Sequence, residues 1–323
     1  MKKICFPLIL LLVILASCQN EEVVFPDFEY QSTYFAYQYP VRTITLGEDI
    51  FDTSLDNEFK CRIMATTGGV YENKKDITIG IAVDNSLSQN LRFTANGSDV
   101  KPMPESYYRL ASDKIVIPSG QLIGGVEVQL TNEFFADPQA IKNTYVIPVR
   151  MTNVANGDSI LSGKDYTLYA VKYINPWHGF YLRRGKDVIV GKNGNTALNQ
   201  TFVRHKQYVE SDEVTKLLTQ SLSKTELPVV YKDKDGKNIH VTLILTFDEQ
   251  GNCSVSSSST TYTATGTGKF VKKGEKKSWG NVDRDAMYLN YKVDMSDMAV
   301  TSTDTLVLRN RGVAMETFSP VAK

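Results

Sequence analysis

Short runs of alternating apolar and polar residues recur along nearly the whole chain, with turn residues between them. This period of two restricts the fold to sheets that bury one face. Val41-Arg42-Thr43-Ile44-Thr45-Leu46 is the first clear run, and Ile77-Thr78-Ile79-Gly80-Ile81-Ala82-Val83 and Val126-Glu127-Val128-Gln129-Leu130 repeat the pattern. Further strands are expected over residues 59–64, 114–117, 145–151 and 166–173. Pro118-Ser119-Gly120 supplies a turn between two of them. Pro148 lies inside a run and has no N–H for a ladder, so an edge strand or a bulge is expected there. Single helical turns fit residues 105–108 and 134–142. Short strands at this spacing predict an Ig-like β-sandwich over residues 31–174.

Asn175-Pro176 breaks the pattern, and a chain of 323 residues is long enough for a second core. The second domain is therefore expected over residues 175–323. Residues 201–209 read as a strand. Ser211 is a suitable helix N-cap, Asp212 and Glu213 suit a first helical turn, and Val214, Leu217, Leu218 and Leu222 follow at helical spacing. One amphipathic helix is expected there, closed off by Pro228. Strands over 229–232 and 239–247 flank Asp233-Lys234-Asp235-Gly236, whose Asp-Gly tip marks a hairpin. Asp248-Glu249-Gln250-Gly251 is a second turn, and strands over 253–259, 260–271, 286–293 and 305–311 complete the set. Sequential hairpins around one helix predict an antiparallel β-barrel-like, calycin-like domain. The fold class is thus mainly β.

The N-terminus carries an address. Met1, Lys2 and Lys3 form a basic start, residues 4–15 are apolar apart from Pro7, and small residues follow. That is the plan of a secretory signal peptide over residues 1–17, and its apolar run is shorter than the about 20 residues needed to cross a bilayer. Leu15-Ala16-Ser17-Cys18 resembles the lipobox of bacterial lipoproteins, which implies cleavage before Cys18 and a lipid anchor on its thiol. The alternative is an ordinary signal peptide with an incidental cysteine. Residues 18–30 then read as a tether. Its Gln19-Asn20-Glu21-Glu22 segment resembles the surface-export signal of Bacteroidetes lipoproteins; the alternative is a solvated linker. The expected location is the outer membrane, facing the cell surface.

Charge and cysteines exclude several functions. Basic and acidic side chains number 36 each, and losing Lys2 and Lys3 with the signal leaves the remainder faintly acidic, which gives no electrostatic basis for nucleic acid. With Cys5 in the signal and Cys18 lipidated, Cys61 and Cys253 remain, in separate domains, as buried free thiols. Three histidines are too few and too scattered for a histidine metal site, and no cysteine/histidine spacing fits zinc. Setting Gly236 at the sixth position of a calcium loop puts Tyr231 first and Thr242 twelfth, both wrong as ligands. Gly157-Asp158-Ser159-Ile160 looks like an esterase serine block but sits in an Asn/Gly loop with no downstream Asp-x-x-His partner. Asp283 and Asp285 flank Arg284 in a polar turn, where local ion pairing is a better account than a glycosidase carboxylate pair. No catalytic residue, metal or cofactor is expected.

Aromatic residues remain: 17 Tyr, 14 Phe and 2 Trp, the residue types that stack on sugar rings while Asp, Asn and Arg bond the hydroxyls. Trp279 lies in the polar turn Lys276-Lys277-Ser278-Trp279-Gly280-Asn281 and is the leading platform, with Asp283 and Arg284 as edge groups. Its alternative role is a lid over the barrel end. Trp177, beside His178, is a second platform, or else interdomain packing.

Several segments resemble known families. Pro104-Glu105-Ser106-Tyr107-Tyr108-Arg109-Leu110, Ile115-Val116-Ile117-Pro118-Ser119-Gly120, Val126-Glu127-Val128 and Tyr145-Val146-Ile147-Pro148-Val149 resemble domain-of-unknown-function family 1735, found in gut Bacteroidetes. Trp177-His178-Gly179-Phe180-Tyr181, Gly266-Thr267-Gly268-Lys269-Phe270, Ser278-Trp279-Gly280-Asn281 and Asp304-Thr305-Leu306-Val307-Leu308-Arg309 resemble family 5627. The resemblance implies a β-sandwich followed by a barrel-like domain, in a setting of surface lipoproteins that capture glycans. It also implies an accessory role: family 1735 modules accompany some endo-β-N-acetylglucosaminidases, and the acidic Asp-x-x-Asp-x-Asp-x-Glu signature of those enzymes is missing here. The expected function is non-catalytic glycan binding, with the membrane reached only through the lipid and other surface lipoproteins as further partners. The alternatives are an adhesive lipoprotein that binds a protein, a small-molecule carrier with an open barrel, and, last, an enzyme.

Overall fold

The computed structural model describes residues 26–323. The signal peptide, the Cys18 anchor and most of the tether lie outside the described residues. The first domain contains β1 (Ser32–Tyr34), β2 (Pro40–Thr45), β3 (Lys60–Gly68), β4 (Ile77–Val83), β5 (Leu91–Arg92), β6 (Lys101–Pro102), β7 (Tyr108–Leu110), β8 (Lys114–Ile117), β9 (Ile123–Leu130), β10 (Tyr145–Ala155), β11 (Ser159–Ile160) and β12 (Tyr166–Ile174). They form two curled, sandwich-like sheets, one ordered β11-β1-β3-β9-β7 and one built on β2-β12-β10-β4-β8. The alternating runs explain the core. Cys61, Ile63 and Ala65 point inward from β3 and join Ile77 and Ile79 of β4 in one core, while Arg62 and Met64 between them face water. A short helix α1 (Ser54–Asn57) follows β2, and α2 (Asn132–Ala136) seats Phe134 and Phe135 against Tyr173 in the core. Pro148 sits in an internal strand, not an edge: the β4 ladder ends at Val149, and the Pro148 carbonyl accepts from Asp84 N–H at 2.9 Å. A bulge does occur in β10, between Met151 and Asn153.

The second domain contains β13 (Gly179–Gly191), β14 (Gln200–Arg204), β15 (Glu213–Thr219), β16 (Lys224–Lys232), β17 (Asn238–Phe247), β18 (Asn252–Ser256), β19 (Tyr262–Glu275), β20 (Arg284–Met295) and β21 (Met298–Asn310). Antiparallel pairing runs from β13 through β15 to β21 and returns from β21 to β13, which closes an eight-stranded barrel with β14 outside it. Its interior is filled by side chains such as Tyr181, Leu243, Leu289, Met287 and Val300, as expected of a barrel of this size. Gly266 and Gly268 of β19 leave room for β20, since a Cβ there would lie 2.5 Å from the Cβ of Tyr291 and 2.4 Å from Leu289 Cδ2.

The helix expected over residues 211–222 is a strand. In β15, Thr215, Leu217 and Thr219 point into the barrel, whereas Val214 and Leu218 are exposed. The helical spacing joined residues from both faces of the strand, Leu217 inward and Val214 and Leu218 outward, while Thr215, Leu217 and Thr219 carry the period of two. Ser211 closes a 3-10 turn, and Asp212 is buried, accepting from Arg184 Nε at 2.6 Å and Lys206 N–H at 2.7 Å. Among the described residues the barrel domain has only short 3-10 turns and no α-helix.

The chain does not finish in the barrel. Residues 313–323 return to the first domain, where β22 (Glu316–Thr317) pairs with β2, β23 (Val321–Ala322) pairs with β5, and Phe318 packs on Tyr39 and Phe93. Arg311 fixes the junction. Its guanidinium donates to the carbonyls of Leu46, Glu48, Asn175 and His178 at 2.6–3.0 Å and so ties the end of β2, the linker and the exit of β21 together. Cys61 and Cys253 are free and buried, one in each domain, and burial pushes both thiols up to about 12.

Candidate functional site at the domain junction

The Arg311 clamp brings three separated segments to one place. The loop after β2 contributes Glu48, Asp49 and Phe51, the start of β20 contributes Asp283, Arg284 and Asp285, and the end of β21 contributes Arg309 and Asn310. Together they line a cleft of about 360 Å³. Phe51 is part-exposed and its neighbour Ile50 fully so, which puts apolar surface on the first-domain rim. Carboxylates, guanidinium groups and an amide face it from the barrel. The rim is braced by an ion pair between Lys272 and Glu48 at 2.6 Å, which holds the Glu48 carboxyl below its usual range.

Each acidic group is tied into its loop, Asp49 and Asp285 through one oxygen and Asp283 through both. Asp49 Oδ1 accepts from Ile50 N–H at 2.6 Å, and Asp285 Oδ1 accepts from Lys273 N–H at 2.8 Å. Asp283 accepts from Lys277 N–H and from Lys276 Nζ, each at 3.1 Å, and these bonds hold its carboxyl below the ordinary range. Among the described residues, the second oxygens of Asp49 and Asp285 take no hydrogen bond. The carboxyl oxygens of this rim are acceptors suited to hydroxyl or amide donors.

Of the four residues singled out from the sequence, Asp283 and Arg284 line this cleft, and Trp279 stands directly behind Arg284. The indole is pinned: its Nε1 donates to the Leu308 carbonyl at 3.2 Å, and Gly280 turns the loop sharply with a φ of 71°. The Arg284 guanidinium carbon lies 3.4 Å from the indole centroid, and Arg284 Nε donates to the Trp279 carbonyl at 3.2 Å. That stack covers one ring face and holds Arg284 rigid at the cleft wall. Trp177 lies elsewhere. Its ring stacks on Phe247 at 3.9 Å and 9°, against the barrel core. Beside it, His178 Nδ1 accepts from Thr219 N–H at 3.2 Å, and burial with nearby Lys216 and Arg311 lowers its pKa to about 4, so the ring is neutral.

Sequence reasoning did not find Asp49, Phe51, Arg309, Asn310 or Arg311. Nothing local marks the 48–51 loop as functional. The charged Arg309-Asn310-Arg311-Gly312 run after an apolar strand was the only available signal, and it looked like an ordinary strand end. Among the described residues no group of three His, Cys, Asp or Glu side chains is placed to hold a metal ion, and no helix is long and apolar enough to cross a membrane.

The family model described as domain of unknown function DUF5627 matches residues 176–312, and a second model, described as an N-terminal domain, matches residues 28–158. A crystal structure of a Bacteroides ovatus protein of unknown function is 44% identical, superposes with a TM-score of 0.86, and covers 92% of this chain and 100% of its own. A second B. ovatus protein of unknown function is 14% identical, with a TM-score of 0.44 over 90% of this chain and 100% of its own. An auxiliary nutrient binding protein from Bacteroides thetaiotaomicron is 12% identical, with a TM-score of 0.40 over 85% and 95%. Likenesses as low as the last two carry no weight for this chain. No curated protein matches it. The chain belongs to the family of the 44%-identical B. ovatus protein of unknown function, and its barrel is a DUF5627 domain.

Proposed function

We propose that this protein is a non-catalytic glycan-binding lipoprotein, held on the outer face of the outer membrane through Cys18, with the junction cleft as its binding surface. One observation carries the reading: the cleft sets a part-exposed apolar edge at Phe51 beside the carboxyl acceptors of Asp49, Asp283 and Asp285 and the rigid guanidinium of Arg284. A sugar offers the matching chemistry, a C–H face for the ring and hydroxyls for the charged rim. The filled barrel interior leaves a carrier without a compartment. The likeness of the first domain to family 1735 supports the same surface setting, as does the lipobox-like Leu15-Ala16-Ser17-Cys18 segment.

Calorimetric titration of the mature protein against host and dietary glycans tests the proposal. Binding to at least one glycan, weakened in Phe51→Ala and Asp283→Ala, is expected; no heat with any of them would sink it. A protein partner is the second reading, favoured by exposed Ile50 and Met315 near the same rim. It predicts no glycan heat and, instead, recovery of one outer-membrane protein that Ile50→Asp no longer captures.

A further inference from the structure

The barrel wall has a seam. β15 pairs with β13 only along Gly179–Arg183, and from Gly185 onward β14 takes its place beside β13. On its other side β15 pairs with β16 at only two positions, Leu218 with Glu226 and Thr219 with Thr225. Pro228 of β16 lies beyond that pairing, on an edge where a missing N–H costs nothing. Gly185 marks the change of partner, since a Cβ there would lie 2.0 Å from the Thr303 carbonyl oxygen.

Charged residues occupy the barrel behind this seam. Arg183, from β13, donates through Nε and Nη2 to Asp304 at 3.0 and 2.9 Å. Arg204, from β14, reaches inward and pairs with both Asp187 and Asp304. Tyr291 donates to Asp304 at 2.8 Å and Ser302 to Asp187 at 2.6 Å. One buried donor is left over: Arg204 Nε has no partner among the described residues, on a side chain only 9% exposed. Arg183 Nη1 makes no hydrogen bond among the described residues and has a long ion pair, to Glu213, 3.9 Å away and 56% exposed. Both arginines line the same cavity of about 240 Å³, with Phe202 as an apolar wall and Lys206 at the rim.

Buried ion pairs of this kind add little to stability compared with apolar packing, and an unpaired buried donor is a cost. A small acceptor bound in the cavity would give Arg183 Nη1, whose one charged neighbour is the distant Glu213, a full hydrogen bond. We propose that the seam cavity binds a small carboxylate, which accepts from Arg183 Nη1. Three features select an anion. The position opposite Nη1 already holds the Glu213 carboxylate in an ion pair of 3.9 Å, too long for a hydrogen bond. Glu213 is exposed enough to turn to solvent. Lys206 then matches the incoming charge, because Asp212 is committed to Arg184 and to the Lys206 backbone. The volume is below the about 300–1,000 Å³ of usual small-molecule sites, so the ligand is one acidic sugar ring or a short carboxylic acid.

The test is titration of the full mature protein with D-glucuronate, acetate and D-glucose, followed by NMR. Arginine variants would confuse binding with folding, so exposed Glu213 is changed instead. Glucuronate is expected to bind and glucose not to. Glu213→Gln should tighten glucuronate by roughly two- to fivefold, the effect of removing one like charge at a half-exposed position, with an unchanged melting temperature. Binding of acetate as well marks a general carboxylate site; its failure to bind marks an acidic-sugar site. Phe51→Ala leaves glucuronate binding intact, which separates this cavity from the junction cleft. No binding of either anion to wild type or Glu213→Gln, equal binding of glucose, or an unchanged affinity in Glu213→Gln overturns the proposal.

Discussion

Arg311 has more structural consequence than any residue at the cleft wall. Four backbone carbonyls from both domains and the linker converge on it in a site that is nearly closed to water. Replacing it with methionine keeps the volume and leaves four buried acceptors short of a donor. A loss of about 2–4 kcal/mol in denaturant unfolding is expected, and an unchanged midpoint would show that the clamp is incidental. His178, whose carbonyl accepts from Arg311, gives a pH signature. Its folded pKa is about 4, below the ordinary value of 6.5, so the folded state binds fewer protons than the unfolded state between those values. The stability it contributes is full above pH 6.5 and is lost as the pH falls through 4. Thermal melts across that window should fall less steeply for His178→Gln than for the wild type. Parallel curves would exclude His178 as a source of acid sensitivity.

β15 is the element that most tests the fold. As a strand it buries Leu217 and exposes Leu218, whereas a helix would have faced both toward the core. Leu217→Ala is expected to cost about 2–4 kcal/mol, and Leu218→Ala to stay within about 0.5 kcal/mol, both read by urea melts. Comparable losses at the two positions would argue against the strand. Most other strands were legible because each has its own period of two and its own turn, as in the Asp233–Gly236 hairpin. β15 was not, because its acidic start and leucines match a helix as well, and only closure of the barrel against β13 decides between them. Cleft residues were legible where a tryptophan or a charged turn stood out, at Trp279, Asp283 and Arg284. They were invisible at Asp49, Phe51 and Arg309, because a cleft made by two domains leaves no local pattern in either.

At the scale of the molecule, the two β-domains are joined by more than a linker. The chain crosses at Asn175-Pro176, then returns after β21 to pair with β2 and β5 and to bury Phe318 among first-domain aromatics. A junction fixed at both crossings holds the 48–51 loop and the start of β20 at a constant spacing, so the cleft is formed before any ligand arrives and ligand binding need not order it. Trp177 and Trp279 divide along the same line: one closes the barrel end on Phe247, and the other holds Arg284 at the cleft wall. The most direct measurement is a calorimetric comparison of wild type, Phe51→Ala and Asp283→Ala with any glycan that the wild type binds. The account predicts that both variants lose affinity while melting at the wild-type temperature. Undiminished affinity in both would place binding elsewhere on the molecule and contradict the junction site.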